Sequence, residues 1–286
     1  MSFFNSALSA SDVSAIYNSG VPADITSLNP VGWWRMGDDD GGTGTTITDQ
    51  GSGGNNGTLT NGPTFSTDIP YALPSITNTY SVNFDGTDDY MTATLGSQVF
   101  DGDFALSVWF NADSSPTYAT LIQSGVQSDY SDGFRLYRNN NQIQVYNGIG
   151  GYSLLLQGGT TSINTWHHVA ITRSGTSFTL YLDGSSINTG TGSQVFASTG
   201  FQVSFTSLPF DGLIDEVSIW DSALSASDIT DIYNSGVPND ISSLNPVGWW
   251  RMGDNDGGTG TTITDQGSGG SDGTLTNGPT FSTTVP

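Results

Sequence analysis

The chain has 286 residues and a mass of 30.0 kDa, with seven tryptophans and 11% aromatic residues, enough apolar material for one large core or two modest ones. Five arginines, no lysine and 27 acidic residues give a formal net charge of -22, which repels phosphate backbones and anionic lipid and argues against nucleic acid and membrane as partners. Cysteine is absent, so no disulfide or thiolate metal site holds the fold, and no apolar run reaches the roughly 20 residues that span a bilayer.

In chain order, the N-terminal "MSFFNSALSASDV" lacks the basic and apolar regions of a secretory signal. A lysine-free acidic chain rich in Gly, Ser, Thr and Asn nevertheless suits open, salty water. A virion surface or another extracellular setting without a signal peptide reconciles the two, because virion proteins assemble in the cytoplasm and leave by lysis.

"NPVGWWRMGDDDGGTGTTITDQGSGG" begins at Asn29 and returns, one residue changed, at Asn245. Residues Phe3 to Pro70 align without gaps on Ile219 to Pro286, an offset of 216, with about 55 of 68 positions identical. The chain thus reads as one and a third copies of a unit. Residues 1–30 are expected to be the C-terminal fragment of a unit (a helix and linker), 31–236 the complete unit, 237–246 a linker with two prolines, and 247–286 the N-terminal fragment of a second unit.

Between the copies the pattern is β. Period-2 alternation runs through "FALSVWF", placing Phe104, Leu106, Val108 and Phe110 on one face, and through "IQVYN", "WHHVAIT" and "FTLYLDG". Turns at "RNNNQ", "RSGT" and "LDGS" supply hairpins. Many short strands with Gly-rich turns predict an all-β fold: a two-sheet antiparallel jelly-roll sandwich with one short helix per repeat unit. That helix is "SALSASDITDIYNSG", with Ser225 or Ser227 as its cap and Gly236 at its end. Trp33, Trp34, Trp109, Trp166 and Trp220 lie within apolar strands and are expected in the core.

The ordered set "VGWWRMGDDDGGTGTTITDQGSGGNNGTLTNGP", "VNFDGTDDYM", "FALSVWFNA", "WHHVAITRSGTSFTLYLDG" and "LIDEVSIWDSALSASDI" resembles the LamG-like jelly rolls of the concanavalin A-like lectin/glucanase superfamily, which includes pentraxins. The resemblance covers about Val31 to Gly236. The wording of the repeat also resembles marine bacteriophage structural proteins that carry such domains in tandem. The likeness implies a two-sheet sandwich whose members mostly bind glycans, proteins or calcium, with a minority of glycosidases.

Catalysis is disfavoured. Glycosidases of this superfamily resemble one another in an E-x-D-x-E strand motif, and Glu216 is the sole glutamate. The paired aspartates at Asp38–Asp40 and at Asp88 and Asp89 sit in Gly-rich loops, where turn formation or cation ligation is the commoner role. His167 and His168 are adjacent on one strand, so they point to opposite faces. Calcium takes oxygen ligands from carboxylates, amides and carbonyls. By the resemblance, a structural calcium would draw on Asp49, Asn55 and Asn56 from one loop and on Asp211 and Asp215 around the last strand. Glycan stacking would need aromatics near turns, for which Tyr130, Tyr137, Arg138 and Tyr152 are the candidates.

The expected function is a non-enzymatic building block of a virion or extracellular fibre that assembles with itself, head to tail or as a ring. The alternative is a calcium-dependent lectin-like adhesion module for host or matrix polysaccharide. A strand such as "VGWWRM" is unstable alone, so Val247, Trp249, Trp250 and Met252 are expected to seek partners in a neighbouring chain, as are Leu8, Ile16 and Tyr17 of the N-terminal helix.

Overall fold

The computed structural model describes residues 1–17, 22–66, 76–95, 99–124, 133–147, 153–193 and 200–286. They fall into two compact units, Met1–Ala72 and Leu73–Pro286.

The first unit is small. It holds β1 (Ser2–Phe3), α1 (Ala10–Tyr17), β2 (Gly32–Trp33), β3 (Thr46–Ile47) and β4 (Gly57–Thr58), with β1 paired antiparallel to β2 and β3 to β4.

The second unit is the sandwich. Its strands are β5 (Ser81–Asp85), β6 (Tyr90–Thr94), β7 (Phe104–Ala112), β8 (Ala119–Ser124), β9 (Phe134–Asn139), β10 (Gln142–Asn147), β11 (Ser153–Gly158), β12 (Trp166–Ser174), β13 (Ser177–Leu182), β14 (Ser185–Thr191), β15 (Gly200–Val203) and β16 (Asp211–Trp220). After α2 (Ala226–Tyr233) come β17 (Gly248–Trp250), β18 (Thr262–Ile263), β19 (Gly273–Thr276) and β20 (Thr280–Ser282). One sheet runs β14-β13-β12-β7-β16-β5-β20, with β17 also on β16, and the other runs β11-β10-β9-β8-β15-β6-β19-β18. The pairings are antiparallel, as jelly-roll sandwiches require.

Alternation decides what lies between the sheets. Phe104, Leu106, Val108 and Phe110 of β7 meet Phe134 and Leu136 of β9 and Phe201 and Val203 of β15 in one core. The opposite face of β7 is buried too: Ala105 joins Ala170, Tyr181, Trp220, Ile229, Ile232, Ile241 and Trp249 in a second cluster that takes in α2. Ser225 caps α2 through a reciprocal capping box with Asp228. The helix ends at Asn234, which takes the left-handed conformation (φ 41°) two residues before Gly236.

Four expectations change here. The segment that closes the sandwich after α2 is the C-terminal copy, 247–286, through β17 on β16, β19 on β6 and β20 on β5. The complete sandwich is therefore built from the second unit, and not from residues 31–236. Trp250 and Met252 have no exposed surface and Trp249 keeps 5%, so with half-buried Val247 they pack in the core of their own chain. Residues 237–246 are packed as well: Ile241 lies in the second cluster and Asn239 Nδ2 donates to the Asp231 carbonyl. Of the five tryptophans expected in the core, Trp109 and Trp220 are buried, whereas Trp33, Trp34 and Trp166 are half-buried.

Candidate functional site

The outer face of the second sheet carries two polar rows set by strand register. Gln157, Gln144, Tyr137 and Thr120 stand opposite one another across β11, β10, β9 and β8. Beside them Tyr146, Arg135, Gln123, Gln202, Thr92 and Thr274 cross β10, β9, β8, β15, β6 and β19. Residues two apart on a strand share a face, so both rows lie on one surface.

Hydrogen bonds tie the rows along their length. Gln123 Nε2 donates to Gln202 Oε1 at 2.6 Å, Gln144 Nε2 to Gln157 Oε1 at 3.3 Å, and an Arg135 guanidinium N–H to the Tyr137 hydroxyl at 3.3 Å. Tyr118 meets Tyr137 and Tyr146 edge-on, with centroids 5.6 and 6.2 Å apart, and Arg135 lies 5.1 Å from the Phe205 ring centre. Tyr118 takes a left-handed backbone (φ 61°) to reach that place, a strained conformation for a bulky residue. The Tyr146 hydroxyl is pushed up to about 12 by its hydrogen bond with Tyr118 and by burial. The centre of this surface is enclosed, while Gln157 and Thr274 at its two ends are exposed. Two of its oxygens, Thr120 Oγ1 and Gln123 Oε1, are buried without a hydrogen-bond partner among the described residues, each at a cost of about 1–3 kcal/mol.

Tyr137 thus belongs to this face, but buried rather than presented at a turn. Arg138, one residue on, points the other way and is also buried. Its guanidinium donates to the Ser114 carbonyl at 2.7 Å, the Ser115 hydroxyl at 3.0 Å and the Thr161 hydroxyl at 3.0 Å, which makes it a clamp on loops. Tyr130 and Tyr152 lie outside the described residues.

The calcium candidates fall in different units. Asp49 belongs to the first, where its Oδ1 accepts the N–H groups of Trp33 and Gly51 at 2.8 Å and its Oδ2 that of Asn55 at 2.8 Å. Those amides, the Trp33 N–H first, hold its carboxyl below the usual range. Asn56 Oδ1 accepts the Asp49 N–H. The set staples a loop. Asp265 repeats the staple in the second unit, accepting from Trp249, Gly267 and Ser271. We expect Asp265→Asn to lower the sandwich's stability by about 1–2 kcal/mol and Asp49→Asn to leave its main transition in place, as read by calorimetry.

Asp211 and Asp215 belong to the second unit. Asp211 is half-buried at the start of β16, and Asp215 is fully buried: its Oδ2 accepts from Asn78 and its Oδ1 from the Glu216 N–H. Glu216 accepts from Trp249 Nε1 at 2.6 Å and Arg251 Nε at 3.0 Å, and Arg251 also pairs with Asp254 at 2.6 Å. Burial raises both carboxyls, Glu216 to about 7. Enclosed in this way, the pair is a structural anchor for the closing segment. The carboxylates of Asp85, Asp88 and Asp89 come within 4.8 Å of one another in the β5–β6 hairpin, where Asp85 and Asp89 accept backbone N–H groups and close the turn.

His167 and His168 do face opposite ways. His167 Nδ1 meets Asp183 Oδ2 at 2.9 Å, whereas His168 Nε2 meets the Ser107 hydroxyl at 2.7 Å beneath Trp109 and Tyr233. Full burial pushes His168 down to about 3, so it stays neutral.

Residues 85–230 match the profile of the concanavalin A-like lectin/glucanases superfamily. The chain belongs to this superfamily. No curated protein sequence matches it. Among solved structures it is similar to a Bacteroides ovatus protein provisionally described as carbohydrate-binding (TM-score 0.57, 18% identity, 84% of this chain and 68% of that one). A heptameric pentraxin of Limulus polyphemus is a more distant likeness (TM-score 0.44, 13% identity, 57% and 86%). So is the CBM40 of the Ruminococcus gnavus IT-sialidase bound to α2,3-sialyllactose (TM-score 0.43, 13% identity, 54% and 97%). At these identities the shared feature is the fold.

Proposed function

We propose that the protein is a non-catalytic, lectin-like carbohydrate-binding protein whose glycan lies along the polar face of the second sheet. The observation that carries this reading is the double row of amide, phenol and guanidinium groups with two orphaned oxygens, Thr120 Oγ1 and Gln123 Oε1, at its centre. Sugar hydroxyls donate to such acceptors, and a pyranose face stacks on an aromatic ring. Tyr118, packed edge-on against Tyr137 and Tyr146, supplies that ring, and the enclosed centre must open for a sugar to reach these oxygens. The exposed ends at Gln157 and Thr274 give an extended chain its run.

A glycan array with the full chain tests the reading, with and without chelator. We expect selective binding that survives chelation and weakens about tenfold in Gln123→Ala, the scale of one lost buried hydrogen bond. Binding that persists unchanged in both Gln123→Ala and Tyr118→Ala places the glycan elsewhere.

A second reading, a repeat-built structural block of a virion or extracellular fibre, is favoured by the duplicated terminal segments. Electron microscopy of the purified chain distinguishes it: ordered fibres or rings support it, and a monodisperse monomer opposes it.

A further inference from the structure

The two copies of the repeat fold alike and end differently. Ser2 pairs with Trp33 and Phe3 with Gly32, just as Ser218 pairs with Trp249 and Ile219 with Gly248. Thr46 pairs with Thr58 as Thr262 does with Thr274, and the Trp34–Asp49 bridge recurs as Trp250–Asp265. Even the indole bond returns, from Trp34 Nε1 to the Asn55 carbonyl and from Trp250 Nε1 to the Ser271 carbonyl. The first unit is therefore a closing segment already in its docked conformation.

Its cover is what differs. Met36 is 52% exposed where Met252 is at 0%, and Trp34 is half-buried where Trp250 is at 0% and stacks on Phe201. Trp34, Met36, Ile47, Leu59 and Phe65 line an open cleft of about 760 Å³. Of their counterparts at the 216-residue offset, Trp250, Met252, Ile263 and Leu275 pack in the sandwich core and half-buried Phe281 packs against it. The helices repeat the contrast: Val13 and Tyr17 of α1 are 55% and 57% exposed, while Ile229 of α2 is at 0%.

We propose that the first unit docks on the sandwich of a second copy of this chain, in the place that copy's own residues 247–282 fill, with β1 giving up its pairing on β2 to that copy's β16. The second unit itself shows what covers this face, and the near-identical sequence means that a second copy offers the same cover. A chain's own segment competes with an effective concentration in the millimolar range, so docking grows with protein concentration and with any weakening of that segment. The proposal is independent of glycan binding.

Because the chain has no cysteine, introduced thiols report without background. Thr280 pairs with Asn83, and Thr64 is the offset counterpart of Thr280. Full-length chains carrying Thr64→Cys are mixed with full-length chains carrying Asn83→Cys and oxidised. We expect a mixed dimer in excess of either like-with-like dimer, increasing at least about tenfold when the Asn83→Cys chain also carries Trp250→Ala. A second arm uses the Trp250-intact pair over a concentration series, so that loss of folding in the Trp250 variant does not decide the result. A mixed dimer no more abundant than chance at every concentration overturns the proposal. So does a chain carrying both thiols that closes only on itself, which would assign the cover to its own sandwich.

Discussion

Trp250→Ala is expected to lower the melting temperature of the sandwich by about 10 °C, whereas Trp34→Ala is expected to leave that transition unchanged. The two tryptophans have the same neighbours in sequence and the same indole hydrogen bond. They differ in what covers them. Trp250 is fully buried and stacks on Phe201 with centroids 5.0 Å apart and planes at 13°, and removing a buried aromatic costs about 3–5 kcal/mol. For a unit of this size each kcal/mol shifts the midpoint by roughly 2–4 °C. Trp34 meets the edge of Phe3, at 5.9 Å, beside an open cleft. Equal losses in the two variants, read by calorimetry at one protein concentration, would mean that the first unit also contributes to the sandwich core.

The same contrast marks the limit of what the sequence could say. The strands of β7, β10, β12 and β13 were legible because apolar residues recur at every second position and so share one face, and the capping box of α2 is written in "SASD". Which copy of "VGWWRM" closes the sandwich was not legible, because the copies share the residues, the internal register and the loop staples that a pattern can report. That choice rests on long-range contacts of β16, β6 and β5, and no local periodicity encodes them. Position in a sheet misled in another way. Tyr137 and Arg138 follow a turn-rich stretch, yet β9 is flanked by β8 and β10, so both are buried. The polar rows were half visible: Arg135, Tyr137 and Asn139 alternate with Phe134, Leu136 and Arg138 in "FRLYRN". Their partners Gln123 and Gln202 stand 79 residues apart, a distance that only the register resolves.

Glu216→Gln is expected to gain stability relative to the parent protein as pH rises from about 5 to about 8. Burial is the largest influence on Glu216, opposed by the Arg251 guanidinium and the Trp249 indole, and the outcome is a carboxyl near 7 against a reference of 4.5. A raised folded value means that the native state keeps a proton the unfolded chain has lost. Unfolding then releases protons, and the stabilising contribution, complete below about pH 4.5, disappears as pH rises through about 7. That gap corresponds to about 3 kcal/mol. Asp215, raised first by burial and then by Glu216 beside it, acts in the same direction, and His168, pushed down to about 3 by burial, acts in the opposite direction below about pH 6.5, both of them in parent and variant alike. Carboxyls held low, such as Asp12, Asp24 and Asp183 with their hydrogen-bond donors, act in the opposite direction. Their windows lie below the ordinary aspartate value of 3.8, so they shape only the acid limb. The glutamine amide keeps an oxygen for the Trp249 indole and no longer titrates, and Arg251 retains Asp254. Melting curves for the two proteins should therefore meet near pH 5 and diverge toward pH 8, with the variant higher; parallel curves across that range would show that the burial of Glu216 does not set the pH dependence.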